Sequence, residues 1–392
     1  MIGSTPHSIA RNSRLASLDL LRLLAVVMVI GHHFEEPPSE LTGPLMAGID
    51  AWMNCGGFGV DLFFVLSGFL VSGLLFAEYK KYGELSIKRF YARRAWKIYP
   101  AFYFLIAFTY FYQLLVVGRK MLDRPLFSEV ALIQSYQAGF WNHTWTLAVE
   151  EHFYVLLALL LLLLTRRNPR APDPFRVIPY LVMGCSLLLL GARIVNFSVR
   201  DEFSFCTHVF PSHLRMDALF FGVAIGHAFH FRSDWFVRVF QPWRYVLLLS
   251  GTGLLLTPAL YAYSDFVFHT FGFTQRYLGS AAILVGLLMC QIPRNRLFAG
   301  LAALGSYSYS IYLWHMAIYY WAFPHLREAG VSWQMRSAIF LVGAFVIGIA
   351  MAKLLELPVL KFRDRWFPSR SGNVVLSERQ EAELTAPARQ AA

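Results

Sequence analysis

Arg22 and His33 stand eleven positions apart in the stretch "SLDLLRLLAVVMVIGHHF", which runs from Ser17 to Phe34. The stretch is otherwise apolar, so a guanidinium within it is costly unless it is paired or faces a polar cavity. On a helix rising 1.5 Å per residue the two are about 16 Å apart, and eleven steps of 100° return them almost to one face. One stripe can thus offer a cation toward one membrane surface and an imidazole toward the other. An imidazole suits proton removal from a hydroxyl, and a guanidinium suits phosphate oxygens. The structural alternative is that Arg22 snorkels and His33 lies at the interface.

Other ionisable residues form a depth pattern. "WNHTWTLAVEEHFY" carries Glu150 and Glu151 at the head of an apolar run. Adjacent carboxylates point about 100° apart, so one at most faces a given cavity. One of them could orient His33 and raise its basicity, and the sequence does not choose between them. His152, beside them, reads as interfacial. "PSHLRMDALFFG" carries His213, Arg215 and Asp217. Arg215 and Asp217 share no helix face, so each needs a partner from another helix. His315 closes "LGSYSYSIYLWH", and Lys353 and Glu356 form an i,i+3 pair able to neutralise itself.

The basic run "KRFYARRAWKIYP" supplies Lys88, Arg89, Arg93, Arg94 and Lys97. Such a run serves topology and lipid phosphates, or it clamps a phosphorylated cofactor. "GVDLFFVLSGFLVSG" joins Asp61 to Ser67, Gly68, Ser72 and Gly73, small residues that allow close helix approach. No base adjoins Ser67, so a serine nucleophile is unsupported. There is no HExxH, Walker A or GxGxxG element, and the scattered histidines do not make a metal site. The layout suggests a phosphorylated donor on the cytoplasmic side and an acceptor approaching from the outer side.

These residues require a membrane body to position them. The 392-residue chain has mean hydropathy +0.47, 57% hydrophobic residues and 15% charged ones, against about 25% charged in soluble domains. Its 35 Phe, 19 Tyr and 10 Trp fit residence in and around a bilayer. The net charge of +11 is spread between apolar runs, not gathered on a nucleic-acid-binding module. The expected fold is all-α and polytopic. Ten helices are placed at 15–34, 57–77, 98–117, 145–164, 177–195, 210–229, 243–262, 275–292, 301–321 and 337–357, each near the ~20 residues that cross the hydrocarbon.

Basic and neutral loops alternate, which puts both termini in the cytoplasm under the positive-inside rule. Residues 1–14 form a cytoplasmic segment, 15–360 the membrane domain, and 361–392 a basic, then disordered, cytoplasmic tail. The first apolar segment is too long for a cleavable signal peptide and lacks a small-residue cleavage site. Cys185 and Cys290 read as packing residues, whereas Cys55 and Cys206 both fall near the outer face and leave a disulfide open.

Taken together, these motifs resemble the membrane acyltransferase-3 family, the O-acyltransferases of surface polysaccharides. The match covers residues 17–360. Its elements are Arg22 and His33 with ten residues between, "GVDLFFVLSGFL" at 59–70, "RRAWKIYP" with Lys97 where an Arg is usual, "WTLAVEEHFY", "HLRMDALFFG" and "LGSYSYSIYLWH". All six occur in the family's usual order.

The resemblance implies an O-acyltransferase with no permanently bound cofactor. It would move an acyl group, commonly acetyl, from acyl-CoA to a hydroxyl of a glycan or lipid-linked sugar at the extracytoplasmic side. It also implies multi-pass placement in a bacterial inner membrane; some members of the family carry an added soluble hydrolase-like domain, and the single-domain type is expected here. His33 would be the general base, supported by Glu150 or Glu151. Arg22 would bind donor or organise the cavity, while Arg93, Arg94, Lys97 and Ser67 would hold the donor. Asp61, His213, Arg215, Asp217 and His315 would bind acceptor or support the site. Lys97 keeps a cation but loses the two-pronged guanidinium geometry. Direct transfer is favoured over an acyl-histidine relay. The rival class is a secondary transporter using intramembrane ionisable residues, which should show paired broken-helix repeats; none is evident here.

Overall fold

The computed structural model describes residues 6–118, 123–169, 171–200, 202–257, 266–293 and 295–370. Every regular element in them is helical, and the chain is an all-α polytopic membrane protein. Among the described residues, five helices are long and apolar enough to cross a bilayer: Gly59–Tyr82, Ile87–Leu115, Asn142–Arg167, Ile178–Val199 and Trp333–Trp366. Arg294, the 371–392 tail and the end of the expected 243–262 segment lie outside the described residues.

The helices that build the site are α1 (Pro6–His32), α2 (Pro44–Gly56), α3 (Gly59–Tyr82), α4 (Ile87–Leu115) and α5 (Asp123–Val130). They are followed by α6 (Trp145–Arg167), α7 (Ile178–Val199), α8 (Met216–Phe231), α9 (Arg244–Leu256) and α10 (Phe271–Met289). The chain continues through α11 (Arg296–Ser306), α12 (Ser308–Ala317), α13 (Trp333–Met351) and α14 (Leu357–Trp366).

α3 is apolar around nearly its whole circumference and is buried along most of its length, as expected for a helix enclosed by others. It crosses α8 through glycines: a Cβ on Gly68 would meet the Leu219 carbonyl, and one on Gly222 the Val65 carbonyl. Ser72 returns its hydroxyl to the Gly68 carbonyl at 2.7 Å, so it adds no unpaired polar group to the interface. α3 ends at Gly83, whose φ of 71° suits a residue without Cβ and whose N–H reaches the Tyr79 carbonyl at 2.7 Å. α7, by contrast, exposes Tyr180, Met183, Leu187 and Leu188, an apolar face with no protein cover that suits lipid.

Local chemistry moved several expected boundaries. α4 begins at Ile87, so the basic run is itself helical. The expected 210–229 helix begins at Met216, because Pro211 precedes a short 3-10 turn over Ser212–Leu214. The 301–321 segment breaks at Tyr307 and ends in a π-helical stretch, Ile318–Ala322. A second π-helical stretch, Ala352–Glu356, joins α13 to α14, and helix persists to Trp366, into the segment expected to be tail. α2 fills what reads in sequence as a loop. All four cysteines are free, so Cys55 and Cys206 do not pair.

Candidate active site

Two cavities meet inside this bundle. The larger, of about 650 Å³, is lined from α1 by Arg22, from α3 by Ser67, and from α4 by Arg89, Arg93, Arg94 and Lys97. Arg89, Arg93 and Lys97 recur every fourth residue, which places all three on one face of α4. Arg22 is neutralised locally by Asp19, with Nη1 donating at 2.5 Å. Glu150 and Tyr154 of α6 line the same cavity. The Tyr154 hydroxyl donates to Glu150 at 2.8 Å and lies 3.1 Å from the Ser67 hydroxyl. Arg94 rests over the Tyr154 ring, 5.5 Å from its centroid.

The second cavity, of about 390 Å³, is lined by His32, His33, His143, Arg215, His269 and Arg276 among aromatic walls. Val60 and Tyr312 line both cavities and form the septum between them. Tyr312 is pinned there. Its hydroxyl donates to the His143 carbonyl at 2.5 Å and lies 2.6 Å from the Thr146 hydroxyl.

His33 sits just past the end of α1, and its surroundings determine its tautomer. Nδ1 is 2.9 Å from the Val29 carbonyl, which only accepts, so Nδ1 carries the proton. In neutral His33 that leaves Nε2 with a lone pair, the state a general base requires. His315 Nδ1 donates in the same way to the Tyr312 carbonyl at 2.6 Å, so its Nε2 is an acceptor. That Nε2 lies 3.3 Å from His33 Nδ1, so the Nδ1 proton is shared between a carbonyl and a second imidazole. His143 completes the cluster, with its ring centroid 5.0 Å from that of His315 and Nε2 donating to the Leu313 carbonyl at 3.2 Å.

This arrangement corrects the carboxylate assignment. His33 is oriented by Val29 and His315, while Glu150 accepts from Tyr154 and Glu151 accepts from Tyr99 at 2.8 Å. Both carboxylates on α6 meet tyrosines, and Glu150 also lines the larger cavity. Arg22 lies on α1 and His33 just past its end, and the two line different cavities on either side of the septum. His213 is also elsewhere: its ring is exposed and stacks on Tyr136, 5.6 Å between centroids. Lys353 and Glu356 do not pair as expected; Glu356 accepts from the Ser310 hydroxyl at 2.6 Å.

The buried charges next to the second cavity are paired across helices, as the two-residue spacing of Arg215 and Asp217 requires. Arg215 donates to Asp61 at 2.8 Å, and Arg193 donates to Asp217 at 2.7 Å. The second oxygen of Asp61 lies 3.8 Å from Arg276. Asp61, Arg215 and Asp217 thus support the wall through mutual pairing, and the Arg215 guanidinium lies 4.1 Å from the Phe273 centroid. His143, Arg193 and Arg276 were not singled out from sequence. His143 belongs to a three-residue 3-10 turn just before α6, and Arg193 sits alone in an apolar run. The one available signal was the need of Asp61 and Asp217 for cationic partners. Among the described residues, no group of three or more His, Cys, Asp or Glu converges as a metal site would.

The profile of a family described as "Acyltransferase domain" matches residues 15–355. The O-acetyltransferase OatA of Staphylococcus aureus (strain COL) is 26% identical over 374 residues, covering 88% of this chain and 57% of the relative. A putative O-acetyltransferase of the same strain is 25% identical over 331 residues, covering 77% of this chain and 50% of the relative. The chain therefore spans about half the length of the curated relatives it matches. No solved structure matches. With a basic cavity and a histidine-lined cavity meeting at one septum, and a family match running through nearly all of both, the chain belongs to the acyltransferase domain family of membrane acyltransferases.

Proposed function

We propose that this protein is an acyl-CoA-dependent O-acyltransferase that places an acyl group, acetyl first among them, on a hydroxyl of a glycan or lipid-linked sugar. The carrying observation is the pair of cavities in contact at Val60 and Tyr312, one rich in guanidinium groups and the other holding His33 with a free Nε2 lone pair. The donor's phosphates are held by Arg93, Arg94 and neighbouring cations, its pantetheine arm passes Ser67, and its thioester reaches the septum. Lys97 contributes charge without the guanidinium fork.

The acceptor hydroxyl enters the second cavity and donates to His33 Nε2. As its oxygen bonds to the thioester carbonyl carbon, His33 takes the proton. The C–S bond then breaks, and the CoA thiolate recovers the proton from His33. His315 holds the imidazole in the reactive tautomer, and the Asp61–Arg215 and Asp217–Arg193 pairs hold the wall. Direct transfer needs no acyl-histidine intermediate.

In this reading the ten helical segments all span the bilayer, with both termini cytoplasmic and residues 15–360 forming the membrane domain. The basic cavity opens to the cytoplasm and the histidine cavity to the outer side of a bacterial inner membrane. The partners are the bilayer, acyl-CoA and the sugar acceptor, with no nucleic acid. Thiol release from acetyl-CoA by purified protein in lipid vesicles tests the assignment. Wild type is expected to release CoA when glycan extract is supplied, and H33A to fall by at least about 100-fold. Uptake of a sugar solute with no thiol release would instead establish the transporter reading.

A further inference from the structure

The chain's own segment 363–370 contributes to the wall of the basic cavity. Arg363, Asp364, Pro368, Ser369 and Arg370 line that cavity together with the cations of α4. Asp364 accepts from Arg93 at 3.0 Å, and the Phe367 carbonyl accepts from the same guanidinium. The Pro368 carbonyl accepts from Arg89 at 2.8 Å. The strap also brings cations of its own. Arg363 lies 2.8 Å from Asp364, and Arg370 is held 3.3 Å from Glu84 and 3.9 Å from Glu78 at the end of α3.

The groups that would meet a donor's phosphates are thus already engaged by weaker anions and dipoles from the strap. The Asp364 side chain is 53% exposed. Exposed ion pairs of this kind contribute little and exchange readily. A phosphate carries more charge and accepts in two-pronged geometry from guanidinium groups. Displacing Asp364 would leave Arg93 and Arg363 facing the same anion.

Resting on the acyl-CoA reading above, we infer that the 363–370 strap is a working part of the donor site. Asp364 is a provisional counter-ion that a polyphosphorylated donor displaces, and Arg363 and Arg370 complete the phosphate clamp. The strap thereby makes the cavity select a phosphorylated carrier over a bare thioester or thiol.

Binding of coenzyme A and of pantetheine, which has the same thiol arm without phosphates, separates the contributions. The full chain in lipid nanodiscs is titrated with each. D364N should tighten coenzyme A binding by about threefold, since removing the competing carboxylate frees Arg93. D364E should return to wild type. The double variant R363Q/R370Q should weaken coenzyme A by about tenfold, with a shallower salt dependence, and leave pantetheine unchanged. Wild type that prefers coenzyme A, with D364N unchanged or weaker, would overturn the strap's role alone. Equal shifts for both ligands would mark the strap as merely structural and also overturn it. Wild type with no preference for coenzyme A over pantetheine would overturn the donor reading as well.

Discussion

In the proposed mechanism, the proton on His33 Nδ1 is where residue chemistry decides the outcome. It is directed to Val29 at 2.9 Å and to His315 Nε2 at 3.3 Å, and only this placement leaves Nε2 free to act. H315A removes the second acceptor, and kcat should fall by about tenfold to 100-fold while KM for acetyl-CoA stays near wild type. H315Q can return an acceptor near the lost Nε2 and should recover part of the rate. A parallel rise in KM for the donor would place His315 in the wrong cavity.

This pairing joins residues 282 positions apart, so nothing local in sequence announces it. The tandem carboxylates, by contrast, invited a familiar base–carboxylate reading. What failed was rotation about α6: 100° separates neighbours, and the sequence does not reveal which neighbour helix each side faces. Arg215 and Asp217 were more legible, because a two-residue spacing excludes mutual pairing whatever the rotation.

At the scale of elements, the α3–α8 crossing fixes how Asp61 meets Arg215, and it depends on glycine. In G68A the new methyl would run into the Leu219 carbonyl, a backbone atom that cannot swing aside. A loss of about 1–3 kcal/mol is expected. G184A on α7 meets no atom within 4 Å and should leave stability unchanged. Thermal unfolding in detergent compares the two; equal midpoints would refute the close crossing.

The α5 loop carries a pH signature. Glu129 accepts from the Trp141 N–H at 3.0 Å and from the Thr144 hydroxyl at 2.9 Å, and burial raises its carboxyl to about 7. The folded chain therefore binds this proton more tightly than the unfolded chain. Its stabilisation is full below the ordinary carboxyl range and is lost as pH rises through about 7. The unfolding midpoint should fall between about pH 5 and about pH 8, and E129Q should flatten that fall. Apolar runs made most helices legible. α2 and the break at Tyr307 were not, since a short amphipathic helix and a one-residue kink barely disturb a hydropathy window.

For the whole molecule, the decisive feature is a septum between a strongly basic cavity and a histidine-lined one. Depth along the chain predicted a basic side and a histidine side, because loop charge and helix direction both constrain depth. The septum itself was hidden: Val60 and Tyr312 come from distant helices and look like ordinary core residues. Y312A would remove the side chain held by the His143 carbonyl and Thr146. It should raise acceptor-independent thioester hydrolysis at least about threefold relative to transfer, since water would pass between the cavities. An unchanged ratio would show that Tyr312 does not separate them.

The most direct measurement of the central claim is the acyl mass increment on surface glycans from bacterial cells producing wild type or H33A at equal folded levels. The account predicts a clear increment with wild type and one at least about 100-fold smaller with H33A. Acylation by H33A at the wild-type rate would contradict it.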